Sequence, residues 1–150
     1  MANLTTRVFL DANVLINDAL FRHRQEKRGA SSAAAIRYLR SNPTAQLYVA
    51  SMSVVQVVAT LSKRARFTPV EIDAEVKRIL AQYRIVDLTE KDLQTAQTVA
   101  GGDWEDAVQY ALSQKMRCFY IVTENVKDFR SFANVTVVHP NRIRLVLFEN

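Results

Sequence analysis

Short apolar runs alternate along this chain with longer stretches in which apolar residues recur every three or four positions. The first pattern fits strands buried on both faces, and the second fits amphipathic helices laid against them. Arg7-Val8-Phe9-Leu10 predicts a strand ending at Asp11, and Ala12 to Leu20 predicts a helix. The polar, basic stretch from Arg22 to Gly29 predicts a loop or a mobile helix end. Ser31 or Ser32 is placed to cap a helix reaching about Arg40, which Asn42-Pro43 stops. Gln46 to Ala50 predicts a second strand. Val54, Val57, Val58 and Leu61 then follow helical spacing.

The second half continues the alternation. Thr68-Pro69-Val70-Glu71 supplies an N-cap, a proline at the first helical position and a capping-box glutamate, so a helix should run to about Tyr83. Arg84 to Asp87 predicts a short strand. Thr89 with Asp92 opens a helix that Gly101-Gly102 should end. Asp103 opens another, to about Lys115, with Trp104, Ala107, Val108, Ala111 and Leu112 as its core stripe. Phe119 to Val122 and Val135 to Val138 predict two last strands, and Pro140 begins a short terminal segment. This order predicts an α/β fold: one three-layer α/β/α domain over residues 1–150, with a mostly parallel central sheet.

Composition fits that picture. The chain has 150 residues, 49% hydrophobic and 23% charged, which is the size and balance of one globular domain. Cys118 is the only cysteine, so an intramolecular disulfide is excluded, and its apolar neighbours mark it as a packed thiol. His23 and His139 are too few and too far apart to suggest zinc. The start of the chain lacks a signal-peptide pattern and no apolar run is long enough for a membrane span, so a cytoplasmic location is expected. The net charge of +5 favours polyanionic partners only modestly over simple solubility.

Candidate chemistry lies just beyond the strands, because open parallel sheets bind ligands at their carboxyl ends. Asp11 follows the first strand directly, and Asp128 lies shortly after the fourth. Asp103 and Asp106, three residues apart at a helix start, share a face. Each could simply cap or stabilise a helix end. Convergence would change the reading. Two carboxylates ~4 Å apart repel by about 4 kcal/mol at an effective dielectric near 20, so several together need a cation. Hard oxygen donors select Mg²⁺ or Mn²⁺, which can bind phosphate and activate water. Phosphodiester hydrolysis is the reaction that best suits a basic protein with an acidic pocket.

Phe9-Leu10-Asp11-Ala12-Asn13-Val14-Leu15-Ile16 resembles the opening motif of the PIN domain family. Asp103-Trp104-Glu105-Asp106-Ala107 resembles its central acidic motif, in the form of its toxin-like branch. Thr123-Glu124-Asn125-Val126-Lys127-Asp128-Phe129 is similar to its closing motif. Order and spacing agree from residue 7 to about 140. The resemblance implies an Mg²⁺- or Mn²⁺-dependent ribonuclease, with VapC-type toxins and their antitoxin partners among its relatives, and favours a homodimer. It implies Asp11 and Asp106 as metal ligands. Asp103 and Asp128 become ligands or groups that hold water around the ion. Thr123 and Asn125 become hydrogen-bonding supports, and Asn13 shapes the turn after Asp11.

One position departs from the family pattern. Where the family usually has a glutamate on the helix after the second strand, this chain has Gln56. An amide can accept a hydrogen bond or ligate a cation but brings no charge, so weakened metal binding is expected. The alternative is therefore a catalytically weakened or inactive relative that binds nucleic acid. A phosphatase with an aspartyl nucleophile fits worse, because Asn13 stands where a second aspartate is wanted. A receiver domain fits worse for want of a lysine after the last strand. An interaction protein whose aspartates are only caps is the remaining reading. Arg22, Arg24, Lys27 and Arg28, and likewise Lys63, Arg64 and Arg66, are either RNA-phosphate contacts or solvated helix ends. Trp104 is expected in the core rather than stacking on a base. Ile36, Tyr38 and Leu39 are candidates for a partner groove, the core or a dimer contact.

Overall fold

The computed structural model describes residues 4–99 and 103–147. Five strands, β1 (Thr6–Leu10), β2 (Ala45–Ala50), β3 (Arg84–Val86), β4 (Tyr120–Val122) and β5 (Thr136–Val138), form one sheet. Their order is β3-β2-β1-β4-β5, and every neighbouring pair is parallel. The expected α/β fold with a parallel sheet is therefore present. β1 sits at the centre, and the order reverses there: β2 and β3 build out to one side, β4 and β5 to the other. Such a switch point leaves a crevice at the carboxyl ends of the two diverging strands. Asp11 directly follows β1 and Thr123 directly follows β4, so both stand at this crevice, Asp11 facing it and Thr123 buried behind.

Helices cover both faces. On one side α1 (Ala12–Arg24), α2 (Ala30–Ser41), α3 (Ser51–Lys63) and α4 (Pro69–Gln82) bury Val8, Leu10, Val14, Ile36, Leu39, Val49 and Leu61. On the other, α5 (Glu90–Gln97), α6 (Trp104–Lys115) and the short α7 (Val126–Phe129) bury Phe9, Tyr48, Val108, Leu112, Ile121 and Phe129. A last turn, α8 (Ile143–Val146), packs on the first core through Ile143. Both capping boxes form, with Thr68 and Glu71 opening α4 and Thr89 and Asp92 opening α5. Cys118 is buried, and burial pushes its thiol up to about 12, which makes it inert. Among the described residues no helix is long and apolar enough to cross a membrane.

Several expectations need correction. The stretch after Leu20 is only partly a loop: α1 continues to Arg24, Gln25 and Glu26 lie outside any helix, and Lys27–Gly29 form a 3-10 turn. Its arginines are tied down. Arg22 makes a bidentate pair with Glu75 at 2.7 and 2.9 Å and also bonds Asp18, while Arg24 pairs with Glu71 at 2.7 and 2.9 Å. His23 joins Glu75 at 2.7 Å. This clamp fastens α1 to α4, so Arg22 and Arg24 are not free for RNA phosphates. Neither Ser31 nor Ser32 caps α2, which follows directly from a 3-10 turn at Lys27–Gly29. A Cβ at Gly29 would lie 2.1 Å from the Asn17 carbonyl oxygen, so only glycine lets that turn meet α1. α5 stops at Gln97, earlier than expected, and Gly101-Gly102 lie outside the described residues. Phe119 precedes β4 and is exposed. Ile36 and Leu39 belong to the core, Tyr38 donates to the Leu147 carbonyl, and Ile36 also lines a cavity with Phe21, Ala33, Arg37 and Arg40.

Candidate active site

Asp11 occupies the N-cap position of α1, but its side chain makes no cap hydrogen bond. It turns instead into the crevice. Its Oδ2 accepts from the Thr123 hydroxyl at 2.7 Å and from the Asn13 amide at 3.1 Å, and its Oδ1 accepts from Gln109 Nε2 at 3.0 Å. The capping reading of Asp11 therefore fails. Thr123 is the hub of this corner. Besides donating to Asp11, its Oγ1 accepts from the Asn13 amide at 3.3 Å and from the Asn125 backbone N–H at 3.1 Å. Asn13 Oδ1 accepts from the Glu124 backbone N–H at 3.2 Å, which joins the turns after β1 and β4. Asn125 thus supports the corner through its backbone.

α6 brings the second group of carboxylates. Asp103 is its N-cap, accepting from the Glu105 backbone N–H at 2.8 Å, as its place at the helix start allows. It nevertheless lines the same cavity. That cavity, about 350 Å³, is walled by Asp11, Asn13, Gln56, Asp103, Glu105, Asp106, Gln109, Asn125 and Asp128 among others. All four aspartates singled out by sequence therefore meet at one opening, with Asn13, Gln56 and Asn125 beside them. Thr123 stands behind, fully buried.

The electrostatics follow from the crowding. Burial pushes the Asp11 carboxyl up, and the Thr123, Gln109 and backbone hydrogen bonds pull it back. Asp106 has no such relief. Burial, then the charges of Asp11, Asp103, Asp128 and Glu105, push it up to about 7. A group in that position is neutralised by a proton or by a cation. Gln109 adds a second sign: it is 2% exposed, and after its Nε2 bonds Asp11 its Oε1 has no partner. A buried orphan acceptor beside a buried carboxylate suits an ion with its water. Among the described residues, however, no three acidic, imidazole or thiol groups stand close enough to enclose an ion alone. The donor set thus fits a small hard cation held by one or two carboxylates and otherwise by water, the usual habit of Mg²⁺.

Two residues of this site escaped the sequence reading. Gln109 lies three residues after Asp106, and that helical spacing was the available signal. Glu105 lies within the acidic motif but outside its i, i+3 pair of aspartates, and its carboxylate accepts from Gln56 Nε2. Trp104 contradicts its expected place in the core. It is 53% exposed, and the buried stripe of α6 begins only at Ala107. Arg28 and Arg64 line a neighbouring cavity that shares Asn13, Ile16 and Thr60 with the acidic one.

Solved structures of other proteins share this fold. A toxin–antitoxin complex from Klebsiella pneumoniae matches over 89% of this chain and 97% of its own, with a TM-score of 0.60 and 19% identity. VapBC2 from Rickettsia felis, bound to a DNA fragment from its promoter, matches over 89% and 98%, with a TM-score of 0.62 and 14% identity. VapC20 of Mycobacterium tuberculosis, a toxin that cleaves the sarcin-ricin loop, matches over 85% and 98%, with a TM-score of 0.61 and 15% identity. These likenesses concern the fold. Searching curated proteins by sequence gave no match. The model of the PIN domain family matches residues 7–127, most of the chain and all three acidic motifs up to the residue before Asp128. The chain belongs to the PIN domain family.

Proposed function

We propose that this protein is a divalent-metal-dependent ribonuclease that hydrolyses RNA phosphodiester bonds and serves as the toxin of a toxin–antitoxin pair. The observation that carries the reading is the meeting of Asp11, Asp103, Asp106 and Asp128 in one cavity, with Asp106 pushed up by the other carboxylates. Asp11 and Asp106 are the residues that would hold Mg²⁺ or Mn²⁺. Such an ion supplies charge for the phosphate oxygens and lowers the proton affinity of attacking water. Thr123, Asn13 and Gln109 hold the Asp11 carboxylate in one orientation through three donated hydrogen bonds. Asp103 and Asp128, at the rim, are further ligands or hold water around the ion by accepting its hydrogen bonds. Arg64 borders the adjoining cavity and suits a phosphate flanking the one being cleaved, as does Arg28 once it leaves its exposed pair with Glu26 at 2.8 Å. Toxin–antitoxin complexes among the structural neighbours support an antitoxin partner, and the reading carries with it a homodimer and a cytoplasmic location.

The test is incubation with mixed RNA across Mg²⁺ and Mn²⁺ titrations, beside Asp11→Asn. Cleavage that needs the ion and disappears in Asp11→Asn supports the proposal. Cleavage that persists in EDTA, or in Asp11→Asn, refutes it. Gln56 favours a second reading, an RNA-binding relative without turnover. It predicts RNA retention that survives EDTA, with no cleavage at any metal concentration.

A further inference from the structure

We infer that Glu105, on α6, supplies the carboxylate that position 56 of α3 lacks, and that Gln56 serves as its hydrogen-bonding support. This rests on the ribonuclease reading of the cavity and deepens it. Gln56 Nε2 donates to Glu105 Oε1 across the mouth of the site, linking α3 to the first turn of α6. Both side chains line the same cavity as Asp11 and Asp106. Glu105 is near enough for its charge to act on both of those aspartates. The orphan Oε1 of buried Gln109, in the wall of that cavity, independently points to an ion there.

The chemistry of the pair explains why the two residues suit each other. A carboxylate at position 56 would face the Glu105 carboxylate in direct contact, and one would have to take up a proton. An amide there donates instead, fixes the Glu105 rotamer and leaves its second oxygen for the ion or the water around it. The total charge of the site is the same as with a glutamate on α3 and a neutral residue at 105. What changes is the helix that delivers it. Gln56 is then a partner of the acidic site rather than a gap in it.

The test is calorimetric titration with Mn²⁺, alongside metal-free melting, of the native protein, Glu105→Gln, Gln56→Glu and the exchanged pair Gln56→Glu with Glu105→Gln. Glu105 and Gln56 are at the surface or partly exposed, so the metal-free fold should tolerate each change. Glu105→Gln should weaken Mn²⁺ binding by roughly 10-fold or more. The exchanged pair should recover affinity to within a few-fold of native, because carboxylate and amide have only swapped helices. Glu105→Gln binding as tightly as native overturns the inference, as does an exchanged pair that stays as weak as Glu105→Gln. Gln56→Glu alone binding more tightly than native also overturns it, since position 56 would then have been short of a carboxylate. If the native protein takes up no Mn²⁺ at all, the ribonuclease reading falls together with this one; failure confined to the variants removes this one alone.

Discussion

Lowering the pH should loosen the cation, by an amount that Asp106 sets. Its carboxyl lies at about 7, raised by burial and by Asp11, Asp103, Asp128 and Glu105 around it. At pH 8 about nine-tenths of such a group is ionised, and at pH 5.5 about 3%, so the carboxylate population falls roughly 30-fold. An ion that binds only the carboxylate must displace the proton, so its apparent affinity should fall about 30-fold over the same interval. Stability runs the other way in the absence of metal. A carboxyl raised above its ordinary value of 3.8 favours the folded state most at low pH, and that contribution is lost as pH rises from about 4 through 7. Added Mn²⁺ should cancel the loss, so the metal-induced rise in Tm should grow from pH 5.5 to pH 8. Calorimetric titration at pH 5.5, 6.5 and 8 measures the first effect and melting curves the second. Asp106→Asn should flatten both. An Mn²⁺ affinity unchanged between pH 5.5 and 8 in the native protein would refute the reasoning.

Three further outcomes concern the frame that holds the site. Glu75→Ala strands the half-buried Arg22 with only Asp18 as partner and leaves His23 only Glu71 at 3.7 Å, and should cost about 2 kcal/mol, below the range for a fully broken buried pair, as read by urea denaturation. Gly29→Ala forces a methyl group against the Asn17 carbonyl and should destabilise by roughly 1–3 kcal/mol in the same assay; an unchanged midpoint would mean that the turn relaxes freely. Thr123→Val keeps the shape of a buried side chain but removes the shortest hydrogen bond to Asp11, and should cost roughly 1.5–3 kcal/mol in metal-free buffer. At saturating RNA, cleavage by that variant should drop, with little change in KM, because Thr123 orients Asp11 from behind the cavity.

Local chemistry was the part of the fold open to reading in the sequence. Thr68 with Glu71 and Thr89 with Asp92 bond to backbone only three residues away, so their capping boxes needed no knowledge of the tertiary structure. Asp11 was legible for a related reason, since a carboxylate directly after a buried strand must emerge at the sheet's carboxyl edge. The arginines of α1 were not legible. Arg22 finds Glu75 at a separation of 53 residues and Arg24 finds Glu71 at 47, and no local pattern distinguishes such a clamp from a solvated basic patch. Trp104 misled because helical periodicity gives a face but not how far along the helix that face is covered. Glu105 and Gln56 were each visible as residue types. Their significance lies in a contact between two helices 49 residues apart.

The most direct measurement is a crystal grown with Mn²⁺ and an anomalous difference map of the crevice between β1 and β4. The account predicts a peak between Asp11 and Asp106, with Glu105 and Gln109 facing it directly or through ordered water. A peak elsewhere, or an empty acidic cavity at saturating Mn²⁺, would contradict it.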